Sequence, residues 1–167
     1  MEKSGTAQAV KSELKASAGC LASAMNNLAG PYGPEYRSSI KELYFACFHV
    51  ATALLVSKGI RAKSHDAAQE LLALHFVKPA ALPADTSRKF NALMDRRNTA
   101  DYKTFVPVDA SDVLEFRPWI CDFVRKTLKL LGKSAASKEA AQLLRLLGDF
   151  ERIGIGDETA RSAHKRV

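Results

Sequence analysis

A chain of 167 residues is long enough for one domain, or one domain with an appendage, and to bury a substantial core. With 47% hydrophobic and 26% charged residues its composition is that of a globular protein and excludes the disordered and fibrous classes. The formal net charge of +7 and pI near 9.4 are compatible with an RNA, nucleotide or acidic-protein partner, although charge speaks to solubility as much as to function.

From about Thr6 to Leu28 the apolar residues Ala7, Val10, Leu14, Ala18, Leu21, Met25 and Leu28 recur every three or four positions. This spacing predicts a long amphipathic helix with a thin apolar stripe, stopped by Gly30-Pro31-Tyr32-Gly33-Pro34. A second helix is predicted from Glu35 to Lys58, with Gly59 suited to the left-handed cap. Its apolar residues cover two adjacent faces, which places it in the middle of a bundle. The nearly apolar run Leu43 to Val56 is only about 14 residues long and reads as a core helix, so no membrane segment is expected.

Ser64 is a good N-cap for a shorter helix, His65 to about Phe76, and Pro79 to Pro83 closes that unit. A fourth helix opens at Thr86 or Ser87 and ends between Tyr102 and Phe105, ahead of Pro107. A fifth is capped by Asp109 or Ser111 and runs to Leu131, and Pro118 implies either a kink or a main helix that begins near Arg117. A sixth covers about Ser137 to Arg152, followed by a basic tail, Arg161 to Arg166. No stretch alternates with period two for long enough to be a strand; Phe105 to Val108 is demoted by Pro107. The expected fold is an all-α, up-down antiparallel bundle over residues 1–133, with an additional helix and tail over 134–167.

Chemistry concentrates in Asp95 to Tyr102, Asp-Arg-Arg-Asn-Thr-Ala-Asp-Tyr. Phe90, Leu93 and Met94 form a core-facing stripe, and the next positions on it are Arg97, Ala100 and Asp101. A charged pair there suggests that the helix leaves the core and enters a cleft or an interface, although an ion pair at i, i+4 spacing with a purely structural role explains the same pattern. His49 lies in the apolar second helix as either a satisfied core histidine or a catalytic group facing Arg97. His65 reads as a first-turn residue without chemistry, and His65 with His75 lack companion ligands, so neither a metal nor a cofactor is expected. The three widely spaced cysteines read as reduced structural thiols. The first residues carry no apolar signal region, which gives a cytoplasmic expectation.

Tyr44-Phe45-Ala46-Cys47-Phe48-His49, Lys58-Gly59, Lys63-Ser64-His65, Phe76-Val77-Lys78 and Arg97-Asn98-Thr99-Ala100-Asp101-Tyr102 occur in the order seen in HEPN-domain proteins. Over roughly Thr6 to Leu131 the chain resembles the small stand-alone prokaryotic branch with an Arg-x-x-Ala-Asp-Tyr signature. The resemblance implies a helical bundle that pairs as a homodimer, with the charged motif near the dimer cleft, and a minimal nucleotidyltransferase as companion in a toxin-antitoxin-type pair. It places nucleotide or RNA binding on Arg96, Arg97, Asn98 and Tyr102, with Arg97 on phosphate, Asp101 orienting it, and Tyr102 stacking or accepting a nucleotide modification. It also implies an alternative, a metal-independent ribonuclease. The histidine that such enzymes carry a few residues after the arginine is absent here, where Asp101 to Thr104 stand, so a nuclease would need a non-standard base, His49 or Asp101, beside Arg97. A purely structural dimerisation module is the third reading.

Overall fold

A computed structural model of the chain describes residues 2–156. Six α-helices follow one another without a strand among the described residues: α1 (Glu2–Leu28), α2 (Tyr36–Ser57), α3 (His65–Leu72), α4 (Thr86–Tyr102), α5 (Ala110–Leu131) and α6 (Lys138–Arg152). The all-helical expectation is met. The basic segment Arg161 to Arg166 lies outside the described residues.

Helix α2 is the axis of the bundle and packs against α1, α3, α4 and α5. Eleven of its residues are buried, spread around the helix as its two apolar faces predicted. By length and hydropathy it could cross a membrane, but 61% of its most apolar window is buried within the protein, so its greasiness is accounted for by neighbouring helices. Small residues bring α1 close to it: the Ser17 hydroxyl donates to the Ala46 carbonyl (2.8 Å) and the Ser39 hydroxyl to the Ala24 carbonyl (3.1 Å). Both hydroxyls are thereby satisfied in a site that water does not reach. At its C-terminus Gly59, at φ +73°, lets Ile60 N–H reach the Leu55 carbonyl and Gly59 N–H the Val56 carbonyl, a Schellman ending.

The capping signals act where the sequence puts them. Ser64 accepts from Ala67 N–H at 3.1 Å, and Ser137 from Ala140 N–H at 3.2 Å. Asp109 and Asp112 form a capping box on α5, which runs unbroken through Pro118 from Ala110, so the expectation of a start near Arg117 is corrected. The cap holds the first turn before the proline is reached. Helix α3 ends sooner than predicted, at Leu72, and gives way to a π-helical turn, Ala73–Val77. Phe90, Trp119 and Phe123 stack within the core, with centroids 5.0 to 5.9 Å apart, and Tyr44 joins Phe90 at 5.8 Å. Helix α6 lays Ala140, Leu143, Leu147 and Phe150 mainly against α1, with further contact to α5. Cys47 and Cys121 are buried and Cys20 partly so; burial pushes the Cys20 and Cys121 thiols up to about 11, which keeps them protonated at neutral pH.

Candidate functional site

The apolar stripe of α4 that begins with Phe90 and Leu93 does continue into Arg97, and the guanidinium lands on aromatic rings. Its carbon lies 5.3 Å from the centre of Phe45 and 5.9 Å from that of Tyr44, both on α2. The side chain is 21% exposed, so most of it lies against the low-dielectric wall and a smaller part meets water. One of its terminal nitrogens donates to Asn98 Oδ1 at 3.1 Å. Nε lies 3.0 Å from Asp101 Oδ2, one turn on, but its N–H is not aimed at the carboxylate and has no hydrogen-bond partner. Asp101 is shared with Lys41 of α2, 3.8 Å away. Charge compensation is thus present, while the buried Nε of Arg97 is left without a hydrogen-bond partner.

Arg96, its neighbour, is differently engaged. Its Nε and Nη2 grip the two oxygens of Asp112 at 2.5 and 2.7 Å, and Nη2 also donates to the Pro107 carbonyl at 2.8 Å. Asp112 in turn accepts from Asp109 N–H at 2.9 Å, so Arg96 fastens α4 to the cap of α5. The bidentate pairing raises the Arg96 pKa further. Little of this guanidinium is free for a ligand. Tyr102, at 75% exposed, and Phe105, at 85%, stand out from the end of α4.

Arg37, which sequence reading passed over, organises that end. Its guanidinium donates to the carbonyls of Ala100 (3.0 Å), Thr104 (3.2 Å) and Lys103 (3.3 Å), and to that of Val106. These include carbonyls that a helix C-terminus leaves without partners, and a cation there also suits the helix dipole. The contact crosses from the start of α2 to the end of α4, so no local pattern could reveal it.

His49 is engaged by helix α1. Its Nδ1 is 2.7 Å from Glu13 Oε2 on α1, and both side chains are about a quarter exposed. Through that nitrogen it bridges α1 and α2. The imidazole that borders the arginine is His65, the first residue of α3. It stacks on Phe48 at 4.1 Å with planes 16° apart, and its Nδ1 is 2.8 Å from the Tyr44 hydroxyl. The partial desolvation of the ring holds the His65 pKa below the ordinary histidine range, and the Arg97 charge acts in the same direction. Burial raises the Tyr44 pKa while Arg97 opposes it. Gln69 lies close to the same hydroxyl and donates to the Met94 sulfur at 3.1 Å. A signal for His65 did exist: the cap Ser64 fixes the first turn of α3, but which helix that turn faces is tertiary information.

The model of the HEPN domain matches residues 14–127 of this chain. The chain belongs to the HEPN family. A protein of Methanocaldococcus jannaschii named as a candidate toxin is 29% identical over 96 residues, which are 56% of this HEPN chain and 72% of the relative. A second protein of that organism with the same kind of name is 28% identical over 98 residues, 58% of this chain and 65% of the relative. A UPF0332 protein of Thermotoga maritima is 26% identical over 83 residues, 50% of this chain and 61% of the relative. The family match takes in α2, α3, α4 and most of α5, the helices that build the Arg97 site, and stops before α6.

Proposed function

We propose that this HEPN chain is the binding component of a toxin-antitoxin-type pair and takes the phosphate and base of RNA or a nucleotide at the Arg97 site. The observation that carries the reading is the partly exposed Arg97 guanidinium against the Phe45 ring, beside the Phe48 and His65 stack and Lys41. A cation on an aromatic wall can meet phosphate while bases stack beside it, which is how single-stranded nucleic acid is held without reading its sequence. In this reading Asn98 and Asp101 orient Arg97, Arg96 positions the helix, and Tyr102 is free to stack or to be modified. The toxin names of two relatives and the family resemblance support the pairing, with a minimal nucleotidyltransferase as the companion class. A homodimer, for which the exposed Tyr102 and Phe105 offer surface beside the site, completes the proposal.

The test is fluorescence anisotropy of a labelled single-stranded RNA, and separately of a labelled nucleoside triphosphate, with wild type and Arg97→Ala, alongside light scattering. Loss of a charged contact to phosphate should weaken binding by about 10- to 100-fold at one salt concentration, with the dimer and the unfolding transition unchanged. Equal affinity of the two proteins for both ligands overturns the proposal. Loss of the dimer in place of affinity would make the Arg97 cluster an interface element.

A further inference from the structure

Between the π-helical turn and α4 the chain runs Pro79-Ala80-Ala81-Leu82-Pro83-Ala84, six residues without a polar side chain. Leu82 is buried and Pro83 partly so, while Pro79, Ala80, Ala81 and Ala84 are exposed. The loop is nonetheless fixed. Its two prolines set φ, Leu82 N–H donates to the Phe76 carbonyl at 2.8 Å, and Ala80 N–H donates to the Val77 carbonyl at 2.9 Å. Ala80 is held at φ +61°, a left-handed conformation that strains an alanine and persists only where its surroundings impose it. Across an open cavity of about 610 Å³, residues 80–84 face Lys126, Lys129 and Leu130 of α5. The apolar lining is alanine, proline and leucine, with no aromatic ring on which a base could stack. The rim is cationic. Asp85 is taken by Lys89 at 3.0 Å and Arg88 at 3.9 Å, and Asp122 by Lys126 at 2.8 Å. Among the described residues, the ammonium groups of Lys78, which precedes the loop, and of Lys129, which lines the cavity, have no carboxylate partner.

We infer that this groove is a docking site for an acidic segment of a partner protein, which seats an apolar side chain between the loop and α5 and sets carboxylates against Lys129 and Lys126. Three features select that occupant. The unmatched lysines attract negative charge and repel a basic segment. The alanines and prolines give apolar contact at close approach and no hydrogen-bonding side chain, so they fit an aliphatic or aromatic side chain and not a sugar or a base. The loop wall is already fixed, so the cost of ordering on association falls on the partner and not on the groove. Helix α4 starts at Thr86, and Arg97 lies eleven residues on, about 16 Å along the helix. The groove is therefore separate from the Arg97 site, and its assignment does not rest on RNA binding there.

The experiment titrates the full, isotope-labelled chain with a short fluorescent peptide that carries two leucines one helical turn apart among glutamates. A second peptide has lysine in place of glutamate, and a third has serine in place of leucine. Anisotropy follows binding and amide shifts map it. Expected is saturable binding of the glutamate and leucine peptide alone, with shifts confined to residues 80–84 and 126–130 and with affinity falling as salt is raised. Lys126→Gln combined with Lys129→Gln should weaken binding about 5- to 20-fold, as loss of two exposed charge contacts does. Ala81→Trp, which fills the groove from an exposed position, should weaken it about 10-fold or more while the unfolding transition stays as in wild type. Equal binding of the lysine or the serine peptide, equal affinity of the variants, or no binding by wild type overturns the inference. A change of oligomeric state in Ala81→Trp, read by light scattering, also overturns it and makes the groove a contact between copies. A loss of RNA affinity in the lysine variant that exceeds its loss for the peptide overturns it as well, and makes this face a nucleic-acid surface.

Discussion

Adjacent arginines on one helix have been given opposite assignments by the surfaces they meet. Arg96 spends its donors on Asp112 and Pro107, whereas Arg97 lies over Phe45 with one aligned hydrogen bond and an unpaired Nε. The two should therefore fail differently. Arg96→Ala leaves the Asp112 carboxylate, 7% exposed as a residue, without its cation at the point where α4 and α5 are fastened. Breaking a buried pair from one side costs ~3–5 kcal/mol, and the partial exposure of Arg96 with the remaining cap bond lowers this to about 2–3 kcal/mol. Urea unfolding should show that loss in Arg96→Ala and less than about 1 kcal/mol in Arg97→Ala. Equal losses in the two variants would remove the distinction. The helical stripe that runs from Leu93 to Arg97 showed in the sequence that a charge faces inward. It could not separate Arg96 from Arg97 by role, because Asp112 and Phe45 reach them from other helices. The same holds for His65 and Arg37, whose partners are Tyr44 and the end of α4.

Elements were more legible than residues because their signals are local. Ser64, Asp109, Ser137 and Gly59 act as the caps that their positions suggest, and the periodicity of α2 already placed it at the centre. Two elements departed from expectation for physical reasons. The capping box lets α5 begin ahead of Pro118, and α3 widens into a π turn before Lys78, where the chain must turn toward Leu82, a buried residue. Helix α6 lies beyond the family match, yet its side chains are core: Leu143, Leu147 and Phe150 are fully buried. Arg117 donates to the Ile153 carbonyl at 2.8 Å, and Arg125 grips Glu151 at 2.5 and 2.6 Å, which pin the end of α6 to α5. If α6 is structural support for α1, Leu147→Ala should cost ~2–5 kcal/mol by the cavity it leaves while RNA affinity stays as in wild type. A Leu147→Ala protein as stable as wild type would show that α6 is dispensable to the bundle.

For the whole molecule the direction of pH dependence follows from several depressed pKa values. His65 is held low by partial desolvation and Arg97, Glu151 by its hydrogen bonds from Arg125, Asp85 by that from Lys89, and Asp109 by those from Ser111. In each case the folded chain gives up its proton more readily than the unfolded chain, so stability rises with pH across the interval between the two values. The contribution of His65 is complete above its unfolded value of about 6.5 and is lost as pH falls through its lower folded value. The carboxylates contribute fully above about 4.5 and lose their part as pH falls through their folded values. Acid also removes negative charge from a chain whose net charge is already +7, and the added self-repulsion acts in the same direction. Urea midpoints should therefore decline from pH 8 to pH 5.5 by a small step and more steeply from pH 5 to pH 3. The first step belongs to His65, so it should disappear in His65→Asn while the second remains. A midpoint that rises on acidification to pH 5.5 would mean that His65 is stabilised as its cation, and Arg97 could not then be its neighbour in the sense the site requires.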